Sequence, residues 1–476
     1  MRDFNKIQFG FMDAAKEGQE MPDLLIKGYV DNDKVVEKAL DKTTFLFLGY
    51  KGSGKSSLSE HLRLMSDESI IVSPEGLRDF PYKTFNRIVS GDAEKEIKAR
   101  NSWRWLLSVK VLSKLLDDPD AHAVDDSEVR RFVEVFSQAG LFPVTDMSAL
   151  VKKTSSRTFK MAVKAFSVRL SQNIENAEVS IDLSTELVMK LLKSYKESHR
   201  HIIVIDELDD NITNREDRFI TIAALINEVK SLNNFLLREN IPVKILILCR
   251  TDIFDRLPDA NKNKIRRDFS FSLLWYKEGI NTPSDSPLIQ LINKRAQLVY
   301  PDLRDVLSSF FPTRYANNSI YNALLDYTRH TPRDFIQLMN CIQNQCKGNK
   351  VTRDDIEKGI KEYSLEYFVT EIEDEMAGYI DYDKTKLVLG VFAIMRKREF
   401  SFQEFHRNYS NVAELKETDV HEVMRLLYDC SAIGHTYSNG RDTMHTFKYR
   451  NRNSAFSERD TIQLHKGLWK ALNVNY

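Results

Sequence analysis

The chain has 476 residues, with 69 Lys plus Arg against 69 Asp plus Glu, so its formal net charge is zero. That length holds about three domains, and the balanced charge excludes a chain-wide positive field that would gather nucleic acid, so any basic surface has to be local. The N-terminus lacks the apolar run of a signal peptide and no later stretch reaches about 18 apolar residues without a charge, which points to a soluble, cytoplasmic protein with no membrane contact.

In chain order, residues 1–40 are expected to form an N-terminal helical segment. The short apolar run Thr44-Phe45-Leu46-Phe47-Leu48 then reads as a buried parallel strand ending in glycine. After a Gly-rich turn, Leu58, Leu62 and Met65 recur at helical spacing, and Ile70-Ile71-Val72 predicts a further strand. From about 90 to 198 the pattern is amphipathic helix, an insertion whose clearest pieces are Trp103 to Leu107 and Leu187 to Leu192. Trp103, Trp105 and the basic stretch Lys152 to Arg157 are either a partner-contact surface or a plain helical core with a solvated face. Strand runs come next at His201 to Ile205, Val243 to Leu248 and Phe269 to Trp275. Beyond 380, Lys386 to Met395, Phe402 to Phe405 and Val420 to Tyr428 predict three helices, and Ile433 to Tyr437 and Met444 to Tyr449 predict a hairpin turning at Ser438-Asn439-Gly440-Arg441. Cys249, Cys341, Cys346 and Cys430 fit neither a disulfide framework nor zinc knuckles, and the ten histidines do not pair at metal-ligand spacing.

The turn Gly49-Tyr50-Lys51-Gly52-Ser53-Gly54-Lys55-Ser56, with Ser57 after it, carries chemistry. A phosphate needs several backbone N–H groups pointing inward, and Gly52 and Gly54 let the backbone approach without a Cβ in the way. The helix after the turn adds its positive dipole end. Lys55 can then reach the β- and γ-phosphates, and the Ser56 hydroxyl is placed to ligate Mg²⁺. The run ending in Asp206-Glu207 supplies in Asp206 a carboxylate to hold the Mg²⁺ water shell and, one residue on, Glu207 to orient and polarise an attacking water. Asp209 and Asp210 read as structural or capping groups.

Taken together, these motifs resemble an AAA+ ATPase, with STAND signalling ATPases and the origin-recognition class as nearest kin. That resemblance implies an α/β fold: a P-loop parallel sheet at 41–280 with the helical insertion, a helical lid at 281–375, and a winged helix at 376–476. It implies ATP and Mg²⁺ as ligands. In Cys249-Arg250-Thr251-Asp252 it makes Arg250 or Thr251 the residue that senses the γ-phosphate, unless Arg250 merely pairs with Asp252 or Asp255. Arg266 or Arg267 is either an arginine finger offered to a neighbouring subunit or part of a solvated basic turn. In Thr331-Pro332-Arg333-Asp334, Arg333 matches the lid arginine called sensor 2. Arg441, Lys448, Arg450 and Arg452 on and after the wing either contact DNA or belong to a packing module that clamps the ADP state. The tail from Phe447 to Leu472 looks like that of a bacterial P-loop ATPase family often found beside anti-phage defence effectors. This implies a homo-oligomeric ATP-driven switch acting on an effector protein; a DNA-binding initiator or loader and a non-catalytic ATP-binding scaffold remain the alternatives.

Overall fold

The computed structural model describes residues 2–67, 69–89, 94–123, 126–156, 158–159, 161–162, 181–197, 199–208, 216–259, 261–279, 282–439 and 442–474. They form two compact units, Lys34–Gly49 with Leu58–Ser272, and Met1–Asp33 with Tyr50–Ser57 and Leu273–Tyr476.

The first unit is built on five parallel strands: β1 (Leu46–Gly49), β2 (Ile70–Gly76), β5 (Arg200–Asp206), β6 (Val243–Arg250) and β7 (Ser270–Ser272), in the order β2-β5-β6-β1-β7. A two-stranded ribbon, β3 (His122–Ala123) with β4 (Tyr195–Glu197), lies outside the sheet. The apolar runs of β1, β5 and β6 are buried almost end to end, as strands covered on both faces must be. Gly49 pairs with Arg250, and Gly76 with Asp206, so the chain leaves β1, β5 and β6 at one edge of the sheet. The expected strand from Phe269 to Trp275 is shorter: Phe269 closes a helix, Lys262–Phe269, and only Ser270–Ser272 pair. Ile265 and Phe269 share one face of that helix, and the Phe269 ring lies 6.0 Å from that of Phe45.

After the Gly-rich turn comes α1 (Lys55–Leu64); α2 (Lys95–Leu116) and α3 (Glu216–Arg238) pack along each other. Trp103 and Trp105 are core residues. The Trp103 indole donates to the Thr221 carbonyl at 3.0 Å and stacks on Phe80, while Trp105 donates to Thr154 Oγ1 at 3.1 Å. Lys110 on α2 forms a buried ion pair with Glu75 at 2.5 Å. Burial raises the Glu75 carboxyl above its ordinary value, and the Lys110 charge opposes that rise. Arg157 of the basic stretch, with Asp209 and Asp210, lies outside the described residues.

In the second unit the N-terminal segment belongs to the core. Phe4 sits 5.6 Å from Phe310 and 5.3 Å from Phe311, and Glu17 makes a buried ion pair with Arg295 at 2.6 Å. The segment therefore covers helices more than 280 residues away in the chain. Helix α4 (Pro332–Gln345) starts with Thr331 as cap, its Oγ1 accepting from Asp334 N–H at 3.2 Å, and Pro332 in the first turn, where no N–H is missed. Helix Arg353–Glu362 passes through a π-helical turn, Tyr363–Phe368, into α5 (Val369–Ala377). Three helices come after it, α6 (Tyr382–Met395), α7 (Phe402–Ser410) and α8 (Val420–Asp429). A four-stranded antiparallel sheet completes this region: β8 (Glu399–Phe400), β9 (Ile433–Asn439), β10 (Asp442–Thr446) and β11 (Thr461–Leu464), ordered β8-β11-β9-β10. The expected hairpin is β9 with β10; Gly440 and Arg441 of its turn lie outside the described residues.

Candidate functional site

The Gly-rich turn is held by helix α4 of its own unit. Gly52 and Gly54 have φ of 78° and 90°, the left-handed region where a side chain is strained. A Cβ on Gly52 would also come within 3.1 Å of Arg333 Cβ and 3.2 Å of Thr331 Oγ1. The Gly52 carbonyl accepts the Arg333 backbone N–H at 3.3 Å, and the Ser53 carbonyl accepts the Trp275 indole N–H at 2.8 Å. Ser53 Oγ is buried with no partner among the described residues. Lys55 is buried, its ammonium donating to the Tyr50 carbonyl at 3.2 Å, so the lysine lies across its own turn. The Tyr50 hydroxyl reaches the Lys448 carbonyl at 3.4 Å.

One carboxylate collects the cations of this region. Glu371 on α5, only 5% exposed, has Oε2 at 3.4 Å from Lys51 Nζ, 3.7 Å from Arg333 and 3.9 Å from Arg329; Asp374 adds a second contact to Lys51 at 3.6 Å. Behind it Arg329 grips Asp334 through two bonds at 3.0 and 3.1 Å, and the Tyr367 hydroxyl donates to Asp334 at 2.8 Å. Burial alone would raise the Asp334 carboxyl, but the Arg329 guanidinium outweighs it and holds the group below the usual carboxylate range. Arg333 thus sits in the first turn of a helix that is itself clamped.

In the sheet unit, Asp206 ends β5 and its Oδ1 accepts the Glu207 N–H at 2.7 Å. Glu207 has φ of 61°, and its carboxylate lies 3.2 Å from the Arg78 guanidinium. A Cβ on Gly76 would overlap Glu207 Oε2, so Gly76 leaves the room that Glu207 occupies. At the tip of β6, Arg250 binds Asp252 bidentately at 3.0 and 2.7 Å; burial raises the Asp252 carboxyl, but the guanidinium brings it below its ordinary value. Thr251 is buried in the first turn of helix Thr251–Arg256. Arg266 pairs with Asp255 at 2.5 Å and lies over the Phe254 ring, whereas Arg267 is exposed.

The C-terminal basic residues are engaged within their own unit. Lys448 donates to the Ser454 carbonyl at 2.6 Å. Arg450 donates to the Tyr449 hydroxyl at 3.2 Å, lies 3.5 Å from Asp326 and stacks near the Tyr276 and Tyr449 rings. Arg452 is exposed, and Arg441 lies outside the described residues.

His199 and His201, two apart in the chain, each bring one ring nitrogen to Asp118 at 2.9 Å. Asp118 lies some 80 positions earlier in the chain, and nothing local marks it as their partner.

The model of the ATPase family associated with various cellular activities (AAA) matches residues 146–273, which span β5, Asp206-Glu207 and β6. Over that segment the chain is similar to AAA ATPases. A second model, the FunZ-associated C-terminal helical domain, matches residues 286–370, which include Arg333. The Aeropyrum pernix ORC1 protein in complex with DNA is similar over 95% of this chain and 94% of that one, at 12% identity and a TM-score of 0.38. No curated protein matches the sequence.

Proposed function

We propose that this AAA+ protein is an ATP-hydrolysing switch whose lid reads the state of the nucleotide. The observation that carries this is the first turn of α4 lying on the Gly-rich turn, Arg333 N–H on the Gly52 carbonyl at 3.3 Å, with Lys51 and Arg333 both gathered by Glu371. A triphosphate in that turn, received by the N–H groups from Gly52 to Ser57, competes with Glu371 for these cations. Lys55 exchanges the Tyr50 carbonyl for phosphate oxygens, and the enclosed Ser53 hydroxyl gains an acceptor. Ser56 and Asp206 offer hard oxygen donors, the class Mg²⁺ takes, and would hold that ion, which would supply charge neutralisation to the phosphates. Glu207 orients the attacking water. Arg250 or Thr251 senses the γ-phosphate from the tip of β6. Arg333 senses it from the lid.

Hydrolysis removes the γ-phosphate and returns Arg333 to Glu371. Moving the lid from 99:1 to 1:99 takes about 5.5 kcal/mol of discrimination between ATP and ADP, within reach of two or three charge-assisted bonds of about 1.5–3 kcal/mol each. The three helices and sheet of residues 382–464 serve as a winged-helix packing module. Lys448 and Arg450 are committed to internal partners, which favours packing over DNA contact. We further propose a homo-oligomer in which exposed Arg267 is the finger offered to a neighbour, and an effector protein in bacterial anti-phage defence as the recipient of the switch; the resemblance read from the sequence supports these last two. The test is a pair of variants. Lys55→Ala abolishes ATP binding, and Glu207→Gln binds ATP but does not turn it over. Parental turnover by Glu207→Gln removes the water-positioning role.

A further inference from the structure

The Gly-rich turn carries one hydrogen bond that the switch does not use. The Ser53 carbonyl accepts the Trp275 indole N–H at 2.8 Å. In a trans peptide the C=O and the following N–H point in opposite directions. Fixing the Ser53 oxygen against the indole therefore also fixes the Gly54 N–H, which is turned to the side of the chain away from Trp275. That N–H has no hydrogen-bond partner among the described residues, whereas the neighbouring Ser53 N–H already donates to the Tyr50 carbonyl at 3.1 Å.

Nothing at Gly54 itself holds this orientation. Its φ of 90° lies where glycine passes readily between conformations, and a Cβ there would meet Pro332 Cγ at 3.9 Å, an ordinary contact. Turning the 53–54 peptide plane over would aim the Ser53 oxygen where the N–H now points, and a phosphate would meet a lone pair in place of a donor. The choice between the two orientations falls to the group that holds the Ser53 oxygen.

Trp275 is anchored for that task on both flanks. It packs, partly buried, on the apolar core of its unit. Just before it, the Leu274 carbonyl accepts the Asn32 side-chain amide at 2.8 Å. Just after it, Tyr276 sets its ring edge-on to His330 at 5.1 Å, and Lys277 pairs with Asp33 at 2.7 Å. His330 leads directly into Thr331-Pro332-Arg333, whose backbone holds the Gly52 carbonyl.

We propose that Trp275 is a positioning residue of the nucleotide site: by holding the Ser53 carbonyl it presets the Gly54 N–H as a donor to a phosphate oxygen common to ATP and ADP. This rests on the reading of the turn as a nucleotide site. The N–H groups of such a turn cradle the α- and β-phosphates, so losing the preset orientation weakens both nucleotides alike, whereas losing Arg333 weakens ATP more than ADP. The expected loss is roughly fivefold in affinity, the equivalent of one neutral hydrogen bond of about 1 kcal/mol.

The test uses the full chain with two replacements of Trp275. One is Trp275→Phe; the other is the benzothiophene isostere of tryptophan, incorporated at position 275, which keeps the two-ring shape and puts sulfur where the N–H was. Calorimetry with ATP and with ADP, and steady-state hydrolysis, should show both dissociation constants and KM raised about fivefold, with kcat within about twofold of the parent. Trp469→Phe, which removes an indole bond of the same kind to the Leu464 carbonyl at 3.0 Å, should leave both affinities at the parental value. Parental affinity for both nucleotides in the isostere overturns the proposal, as does a loss confined to ATP or a fall in kcat with KM unchanged. Should Trp275→Phe fail to fold by circular dichroism, the isostere decides alone. A parent chain that binds neither nucleotide, or loses no affinity in Lys55→Ala, removes the nucleotide site and this proposal with it; parental binding by the isostere beside a Lys55→Ala chain that binds nothing removes only the role of Trp275.

Discussion

Replacing Glu371 with Gln is the sharpest probe of the switch. In the structure its Oε2 lies 3.7 Å from Arg333 and 3.4 Å from Lys51. At an effective dielectric of about 20 each pair is worth about 4–5 kcal/mol of gross Coulomb attraction. Both cations are partly open to water and burial of the carboxylate is itself costly, so the net hold on Arg333 is nearer the ~1.5 kcal/mol of a weak charge-assisted bond. A γ-phosphate has to break that hold, and about 1.4 kcal/mol is a factor of ten in binding. Glu371→Gln is therefore expected to bind ATP about tenfold more tightly than the parent, with a smaller gain for ADP, which has no γ-phosphate for Arg333. Calorimetric titration of both nucleotides against both proteins measures the difference. If ATP binding is unchanged or weaker, Glu371 is not a competitor but a support that aims Arg333, and the exchange mechanism fails.

Perturbing three other places has equally definite outcomes. Arg78→Ala removes a pair between groups 61% and 36% exposed; such a pair contributes at most about 1 kcal/mol, so steady-state hydrolysis should rise no more than about fivefold, whereas Gly76→Ala, which pushes a Cβ into Glu207, should lower kcat with ATP affinity intact. Arg329→Ala leaves Asp334 as an uncompensated buried charge, so the unfolding free energy from denaturant titration should fall by about 3–5 kcal/mol, and a loss under about 1 kcal/mol would contradict the clamp. His465 is buried, takes the Gly467 N–H on Nδ1 at 3.1 Å and has its pKa lowered to about 3 by burial and by the Arg329 charge. Because the folded value lies below the unfolded ~6.5, its stabilisation is present above about pH 6.5 and lost as pH falls toward 3, by about 2 kcal/mol at pH 5. His465→Phe should flatten that acid limb of the melting curve.

What could be read in the chain was whatever is encoded locally. Leu46 to Leu48, Ile202 to Ile205 and Ile245 to Leu248 are apolar runs, and each became part of a strand of the sheet. Thr331-Pro332 caps a helix by its own chemistry, and that helix stands. Phe269 was misassigned because an aromatic beside serines suits a strand as well as a helix end, and the packing against Phe45 decided it. The surroundings of the Gly-rich turn were hidden for a different reason. Glu371 and Asp374 lie more than 300 positions from Lys51, and an acid on an amphipathic helix carries no mark of what it faces. Likewise nothing local marks Phe4 and Glu17 in the N-terminal segment, and only the fold reveals the rings and the arginine they meet.

The π-helical turn at Tyr363–Phe368 sets the rotational phase of α5. Such a turn absorbs one residue more than an α-helix would, so it acts as a one-residue spacer ahead of Glu371. Deleting a single residue there would let the backbone relax to regular α geometry with Glu371 near its present phase, whereas inserting one more, with no bulge to take it up, would rotate every downstream side chain by about 100° around the axis. Glu371 would then swing away from Arg333 while each of them kept its identity. In this part of the molecule, chain length is as decisive as chemistry: an indel far from any phosphate could silence the lid as thoroughly as removing the arginine.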